Sequence, residues 1–241
     1  VTGANVTSVK VVCRSRYSLV ANRSGDARLT NYSIGSTGAL TGVDFETVQS
    51  ALEPTVSETD AQTVATTPTL THAFVAVDAG LSYDVAPYPN LFTTTPGHIR
   101  VYEVAANGQM TFASDVTVPN MAPNNLASDP MQILVHPGMN VSEDGANRRR
   151  VYVVDMSNHA GSGNESIHEY SFNYSLATLT RQGGVSVPTI SGAEMDPLGE
   201  FIWATTYTAH AIVPLQISAS TGALTPLAAT VVGTQASEMF T

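Results

Sequence analysis

Charge is scarce in this chain. Asp, Glu, Lys and Arg make up 12% of its 241 residues, about half the usual share of a soluble domain. Lysine is almost missing, with Lys10 alone, and 20 acids against 10 bases leave a formal charge of −10. Nucleic acid and anionic membrane surfaces attract a basic footprint, so the balance argues against either as the main partner. A single cysteine, Cys13, excludes an intrachain disulfide and the cysteine frameworks of miniproteins. No apolar run approaches the roughly 18 residues of a membrane-spanning helix. No stretch carries a 3.6-residue apolar stripe of helical length, and the composition excludes collagen and a coiled coil. What remains is a chain that is 43% hydrophobic, enough for a sizeable core. Its polarity comes from Ser, Thr and Asn, with 18 Gly and 13 Pro as punctuation.

Six asparagines stand in Asn-x-Ser/Thr triplets without a central Pro: Asn5, Asn22, Asn31, Asn140, Asn164 and Asn173. Each has the acceptor pattern for N-glycosylation, although a chain rich in Ser, Thr and Asn also makes such triplets by chance. With the scarcity of lysine and a first residue other than Met, they lead to the expectation of a secreted, extracellular glycoprotein.

An internal repeat organises the chain. Ser36-Thr37-Gly38-Ala39-Leu40-Thr41 returns as Ser220-Thr221-Gly222-Ala223-Leu224-Thr225. Weaker copies are Asn107-Gly108-Gln109-Met110-Thr111 and Ser175-Leu176-Ala177-Thr178-Leu179-Thr180. The closing threonines lie 70, 69 and 45 residues apart. Before each copy comes an alternating segment (27–34, 98–104, 166–172, 211–217), and before that an apolar β-rich run (17–22, 73–78, 150–155, 201–206). A further alternating segment follows each copy (42–49, 112–119, 182–188, 226–233). Period-two patterning between Gly, Asn and Pro turn signals reads as strands. A fourth strand opens each unit: 130–137 and 191–197, both ending in a Pro closely followed by Gly138 or Gly199, with 8–13 and 69–73 as further candidates. Four strands per unit, at a base period near ~45 residues, predict β-propeller blades.

The expected fold is therefore all-β, a single propeller domain over 1–241 with four-stranded antiparallel blades at about 8–50, 69–119, 130–188 and 190–233. A last segment, 235–241, reads as one additional inner strand that pairs in the folded state. The wide gaps place insertions at 80–97, 138–147 and 156–165, which read as binding-rim loops or as tolerated surface loops.

The segment Ser191-Gly192-Ala193-Glu194-Met195-Asp196-Pro197-Leu198-Gly199-Glu200-Phe201-Ile202-Trp203-Ala204 and the stretch from Ile217 to Thr225 resemble blades of the lactonase-like seven-bladed propellers. That family includes bacterial 6-phosphogluconolactonase and fungal carboxymuconate cyclase. The resemblance covers about four blades and implies a propeller fold and a lactone or muconate-like substrate. Family members tend to place basic residues near a central cleft. Here the matching positions are Thr205, Thr206 and Tyr207, with Met131 and Gln132 on the inner strand of the third blade, which offer an anion little cationic stabilisation. Seven blades at this period would need roughly 315 residues.

Chemistry-bearing candidates are few. His136 precedes Pro137 at an inner-strand end and reads as an acid/base or as a cap on backbone groups. Glu194 and Asp196 share one strand face by period two and read as a general base with a partner, or as solvated carboxylates before a Pro-x-Gly corner. The resemblance lines a cleft with Glu194, His136 and Gln132 as the catalytic set. His159 and His168 lie too far apart to claim zinc. Arg148-Arg149-Arg150 reads as a loop-to-strand edge, and Cys13 as a buried inert thiol. No nucleophile elbow, phosphate loop, dinucleotide fingerprint or metal-binding cysteine spacing occurs, so no cofactor and no metal is expected. Two functions follow. One is a propeller used for binding or extracellular assembly, with self-association through exposed blade edges. The other is a hydrolase or isomerase acting on a lactone or muconate-like molecule.

Overall fold

The computed structural model describes residues 5–11, 17–23, 28–47, 61–77, 97–119, 128, 130–143, 146–155 and 166–233. The chain divides into two compact units, Val1–Pro130 and Met131–Thr241. All regular structure among the described residues is β.

In the first unit, β1 (Asn5–Val11), β2 (Tyr17–Arg23), β3 (Arg28–Ile34) and β4 (Leu40–Thr47) form one sheet, and β5 (Ala61–Thr66), β6 (His72–Val77), β7 (His98–Val104) and β8 (Met110–Thr117) form another. In the second unit, β9 (Pro130–Glu143), β10 (Ala146–Asp155), β11 (Ile167–Asn173) and β12 (Thr178–Val185) form a sheet. The last sheet is β13 (Ile190–Met195), β14 (Phe201–Thr206), β15 (Ala211–Ile217) and β16 (Leu224–Pro226), with β17 (Thr230–Val231) also pairing β15. Every sheet runs in chain order with antiparallel neighbours. That up-and-down order is the blade topology the repeat predicts.

Irregularities repeat in register as well. A bulge separates third and fourth strands at Asn31/Tyr32, Val101/Tyr102 and Glu169/Tyr170. Another separates first and second strands at Val6/Ser8, Ala61/Thr63 and Ile190/Gly192. Bulges raise local twist, so their recurrence makes each sheet the same twisted object. The second strand β6 is buried at all positions, so both of its faces are covered and its sequence is nearly all apolar. The fourth strands are largely exposed, as in β8, and their sequences are correspondingly polar.

Each unit has its own sheet-on-sheet core. In the first, Leu19, Ala21 and Leu29 meet Val64, Val75, Val77, Tyr102 and Met110. In the second, Leu134, Tyr152, Val154 and Ile167 meet Ala193, Ile202, Ala204, Leu215 and Leu224. Truncating one of these large aliphatic side chains to Ala should cost about 2–5 kcal/mol, because a cavity is left between rigid sheets.

Three expectations change. The first strand of the second sheet is Ala61–Thr66, and 69–73 is the turn into β6 together with its first residues. Ala61–Thr66 is built of Ala, Gln, Thr and Val and is buried on both faces, so it has no polar-apolar alternation to read. The segment 138–147 is mostly strand, since β9 and β10 extend to Glu143 and from Ala146. In the last sheet the fourth strand is split into β16 and β17. The segments 80–96, 156–165 and 235–241 lie outside the described residues, as does Cys13.

Candidate functional site

The repeated turn is the feature that both cores are built around. Gly38, Gly108 and Gly222 all adopt positive φ, at 81°, 84° and 74°, where an L side chain is strained. In the weaker copy Ala177 takes the corresponding backbone, at φ 49°. Local hydrogen bonds close these loops: Gly35 N–H donates to the Ala39 carbonyl at 2.8 Å, Ala105 N–H to Gln109 at 2.8 Å, and Ser218 N–H to Ala223 at 2.9 Å.

Two of the turns dock on the sheet that precedes them. In the first unit Asn31 Nδ2 donates to the Gly108 carbonyl at 2.6 Å, and Met110 N–H donates to Asp44 Oδ2 at 2.7 Å. Tyr17 OH donates to the Ala106 carbonyl at 3.2 Å, and a Cβ on Gly108 would lie 2.6 Å from Tyr17 Cε1. In the second unit Tyr152 OH donates to the Gly222 carbonyl at 2.8 Å, and Leu224 N–H donates to Glu169 Oε1 at 2.8 Å. A Cβ on Gly222 would lie 2.5 Å from Arg150 Cγ. Each socket thus combines a donor for the glycine carbonyl, a carboxylate for the N–H two residues on, and a side chain flat beneath the glycine. Burial pushes the Tyr152 phenol well above its usual range, helped by Glu169 and opposed by Arg150, so it is held as the protonated donor the glycine carbonyl needs.

Of the sequence-predicted site residues, Gln132 and His136 join β9 to the last sheet, and Glu194 does not. Gln132 Oε1 accepts the Ala193 N–H at 3.1 Å. His136 is buried; its Nδ1 accepts the Gly138 N–H at 3.1 Å, which leaves Nε2 to donate to the Gly199 carbonyl at 2.9 Å. Burial lowers its pKa, with Arg149 adding to that effect, while the Gly199 bond and Asp196 oppose it, so the ring is neutral at pH 7. Gly199, at φ 74°, is needed here because a Cβ would fall 2.4 Å from His136 Nε2.

Glu194 and Asp196 do not form a carboxylate pair. β13 ends at Met195, so Asp196 leaves the strand face and folds back on its own turn. Its Oδ1 accepts the Leu198 N–H at 2.8 Å and its Oδ2 accepts the Phe201 N–H. Slight desolvation pushes this carboxyl up, but the N–H groups of Phe201, Leu198, Glu200 and Gly199 outweigh it and hold the pKa below the usual range. Glu194 stays exposed in the strand, opposite Trp203.

The sequence reads Arg149 as part of a loop-to-strand edge; it is buried and clamps β9 at His136 and Pro137. It donates to the carbonyls of His136 at 2.5 Å and Pro137 at 2.8 Å, and to Tyr174 OH at 2.6 Å. His168 meets Asp155 at 3.4 Å inside the same sheet, both buried. Thr205 bonds Ser191 Oγ at 2.9 Å and Tyr207 is exposed. His159 lies outside the described residues. Among the described residues no group of three or more His, Cys, Asp or Glu could hold a metal ion, and no helix is long and apolar enough to cross a membrane.

Asn31 does not suit glycosylation in the folded chain, because its amide nitrogen is buried and given to Gly108. Asn173 is half-buried, and its Oδ1 accepts the Ser175 and Leu176 N–H groups at 2.9 and 3.2 Å.

Comparison with solved structures decides the architecture. A Lactobacillus plantarum protein superposes with a TM-score of 0.64 at 13% identity, over 95% of this chain and 56% of its own. A candidate 6-phosphogluconolactonase from Bacteroides uniformis gives 0.63 at 12% identity, over 97% and 57%. One from Bacteroides fragilis gives 0.61 at 15%, over 95% and 58%. The fold is that of the lactonase-like β-propellers. The chain spans less than three-fifths of the length of these structures. No protein-family model and no curated protein matches the sequence. Within this propeller fold, the docked turns are the joints between successive blades, and the inner-strand polar residues are fastenings of the same kind.

Proposed function

We propose that the chain is a secreted, glycosylated β-propeller that serves binding and extracellular assembly. The observation that carries this reading is how the candidate catalytic side chains are used. Gln132 Oε1 and both ring nitrogens of His136 are engaged with backbone groups of the second unit. A general base needs a lone pair free to reach substrate, and a histidine that accepts on one nitrogen and donates from the other has none left. Secretion is supported by the Asn-x-Ser/Thr triplets, of which Asn5, Asn22, Asn140, Asn164 and Asn173 remain as acceptors. Intact mass before and after deglycosylation, on protein from a glycosylating host, tests it. Loss of one glycan in Asn173→Gln is the expected outcome, and an unglycosylated wild type would remove the secretory part of the reading.

A lactonase-like enzyme is the second reading, supported by the fold shared with two candidate 6-phosphogluconolactonases. In it, exposed Glu194 is the base, with His136 and Gln132 positioning the strand beside it. A screen of lactone hydrolysis and muconate cyclisation separates the two. Turnover that disappears in Glu194→Gln would establish the enzyme, and no turnover in either protein supports the binding reading.

A further inference from the structure

We infer that the Asn107–Gly108 peptide is a self-modification site. The asparagine is spared while the joint between the first two sheets is closed, and converts to aspartyl and isoaspartyl residues when that joint opens. It is the only Asn-Gly pair in the chain. The other turns carry Thr37, Thr221 and Leu176 at this place, before Gly38, Gly222 and Ala177.

Asn107 is exposed and Gly108 is buried, so the two halves of the pair meet different surroundings. Asn107 Oδ1 accepts the Gln109 N–H at 3.1 Å, and Nδ2 donates to Gln109 Oε1 at 2.8 Å. The first of these bonds closes a ring that contains both Asn107 Cγ and the Gly108 nitrogen. It also puts a donor where negative charge develops when that carbon is attacked. Glycine brings no side chain to hinder the attack. What the fold withholds is the nitrogen itself. Its N–H is given to the Ala105 carbonyl at 2.8 Å, and the Gly108 carbonyl is clamped by Asn31 Nδ2 at 2.6 Å. Tyr17 packs so closely beneath that a Cβ on Gly108 would lie 2.6 Å from its Cε1. Met110 N–H is anchored on Asp44 Oδ2 at 2.7 Å. To reach Cγ the nitrogen must swing about the Asn107 Cα–C bond, which carries Gly108 and Met110 out of the socket. Local opening of the joint is therefore the gate to the reaction.

The step needs only water and hydroxide. The Gly108 nitrogen loses its proton and its lone pair forms a bond to Asn107 Cγ. The carbonyl electrons move onto Oδ1 and return as the Cγ–Nδ2 bond breaks; Nδ2 takes up a proton and leaves as ammonia. Water then opens the cyclic imide at either carbonyl. The aspartyl product has the normal backbone and keeps an oxygen for the Gln109 N–H, so it fits the socket again. The isoaspartyl product routes the backbone through the former side chain and lengthens it by a methylene. Gly108 then no longer reaches Asn31 while Met110 bonds Asp44. One opening that reacts in this way leaves the joint lastingly loosened.

The test incubates the full chain at pH 8, folded or in urea, and follows residue 107 by peptide mass mapping and isoaspartyl methylation. Conversion should be at least tenfold slower in the folded chain. Asn31→Ser removes the clamp on the Gly108 carbonyl and should raise the folded rate at least threefold. Asp44→Asn should act in the same direction, each variant keeping a circular dichroism near wild type. Asn107→Gln, whose amide lies a methylene further out, should not convert. The Met110 amide should lose its slow hydrogen exchange in the isoaspartyl fraction and keep it in the aspartyl fraction. The comparison with urea needs no variant, so it stands even where a substitution prevents folding. Equal rates in the folded and unfolded chain would overturn the inference, because docking would then guard nothing. No conversion in urea would overturn it at the chemistry. A folded rate that neither Asn31→Ser nor Asp44→Asn changes would overturn the role of the socket, and slow Met110 exchange in the isoaspartyl fraction would overturn the lasting loss of the joint.

Discussion

The turns Ser36–Thr41 and Ser220–Thr225 have one sequence and a glycine at positive φ in each, yet they close differently, Gly35 N–H onto Ala39 in the first and Ser218 N–H onto Ala223 in the second, and they live in opposite surroundings. The second is held by Tyr152 and Glu169 with no room for a Cβ at Gly222; at Gly38 a Cβ would meet nothing within 4 Å among the described residues. Identical residues thus close a loop one residue longer where they are docked, so the surroundings as well as the local sequence set how the turn is bonded. A second contrast separates the sockets. In the first unit the carboxylate comes from the fourth strand, Asp44, opposite Asn31. In the second it comes from the third strand, Glu169, opposite Gly183. The joint requires an acceptor at that point in space, and either strand can deliver it.

The largest expected effect breaks the contrast between turns. Gly222→Ala adds positive-φ strain and a clash with Arg150, which together should destabilise the second unit by about 2–5 kcal/mol in urea unfolding. Gly38→Ala carries the strain alone, about 1 kcal/mol. Equal losses would mean that Gly222 is not tightly docked.

Next comes the carboxylate. Glu169→Ala leaves the Leu224 N–H buried without its acceptor and should cost about 1–3 kcal/mol, whereas Glu169→Gln keeps an oxygen there and should cost less. The same ordering is expected for Asp44→Ala and Asp44→Asn, read by the same unfolding assay. A reversal in one unit would show that the two sockets do not work alike.

The smallest effect is in pH. His136 and His72 are both held below the ordinary 6.5, chiefly by burial; Gly199 and Asp196 oppose this at His136, as Glu103 does at His72. Below 6.5 the unfolded chain takes up protons that the folded chain refuses. Stability is therefore full above that value and declines as pH falls through it toward the lower folded pKa. His136→Gln should flatten the decline in urea midpoint between pH 8 and pH 5. An unchanged slope would mean that His136 is not the buried neutral cap of the Gly138 and Gly199 corner.

Strand positions were largely legible because covered second strands such as β10 read as apolar runs and third strands alternate. Ala61–Thr66 escaped because a strand of small and hydroxylic residues, buried on both sides, carries no period. The recurrence of Ser-Thr-Gly-Ala-Leu-Thr pointed to a demanding turn, and it was the one signal of the joints. The socket residues Asn31, Tyr152 and Glu169 were hidden because they lie 55 to 77 residues from their partners. Glu194 and Asp196 looked paired only while the strand period was carried past Met195, where the chain turns.

Backbone hydrogen exchange at three matched amides tests the joint most directly. Met110 and Leu224 donate to Asp44 and Glu169, and Leu40 holds the corresponding place in the free turn. In dilute solution the Met110 and Leu224 amides should exchange at least a hundredfold more slowly than Leu40. Equal exchange at all three amides in dilute solution would contradict the account.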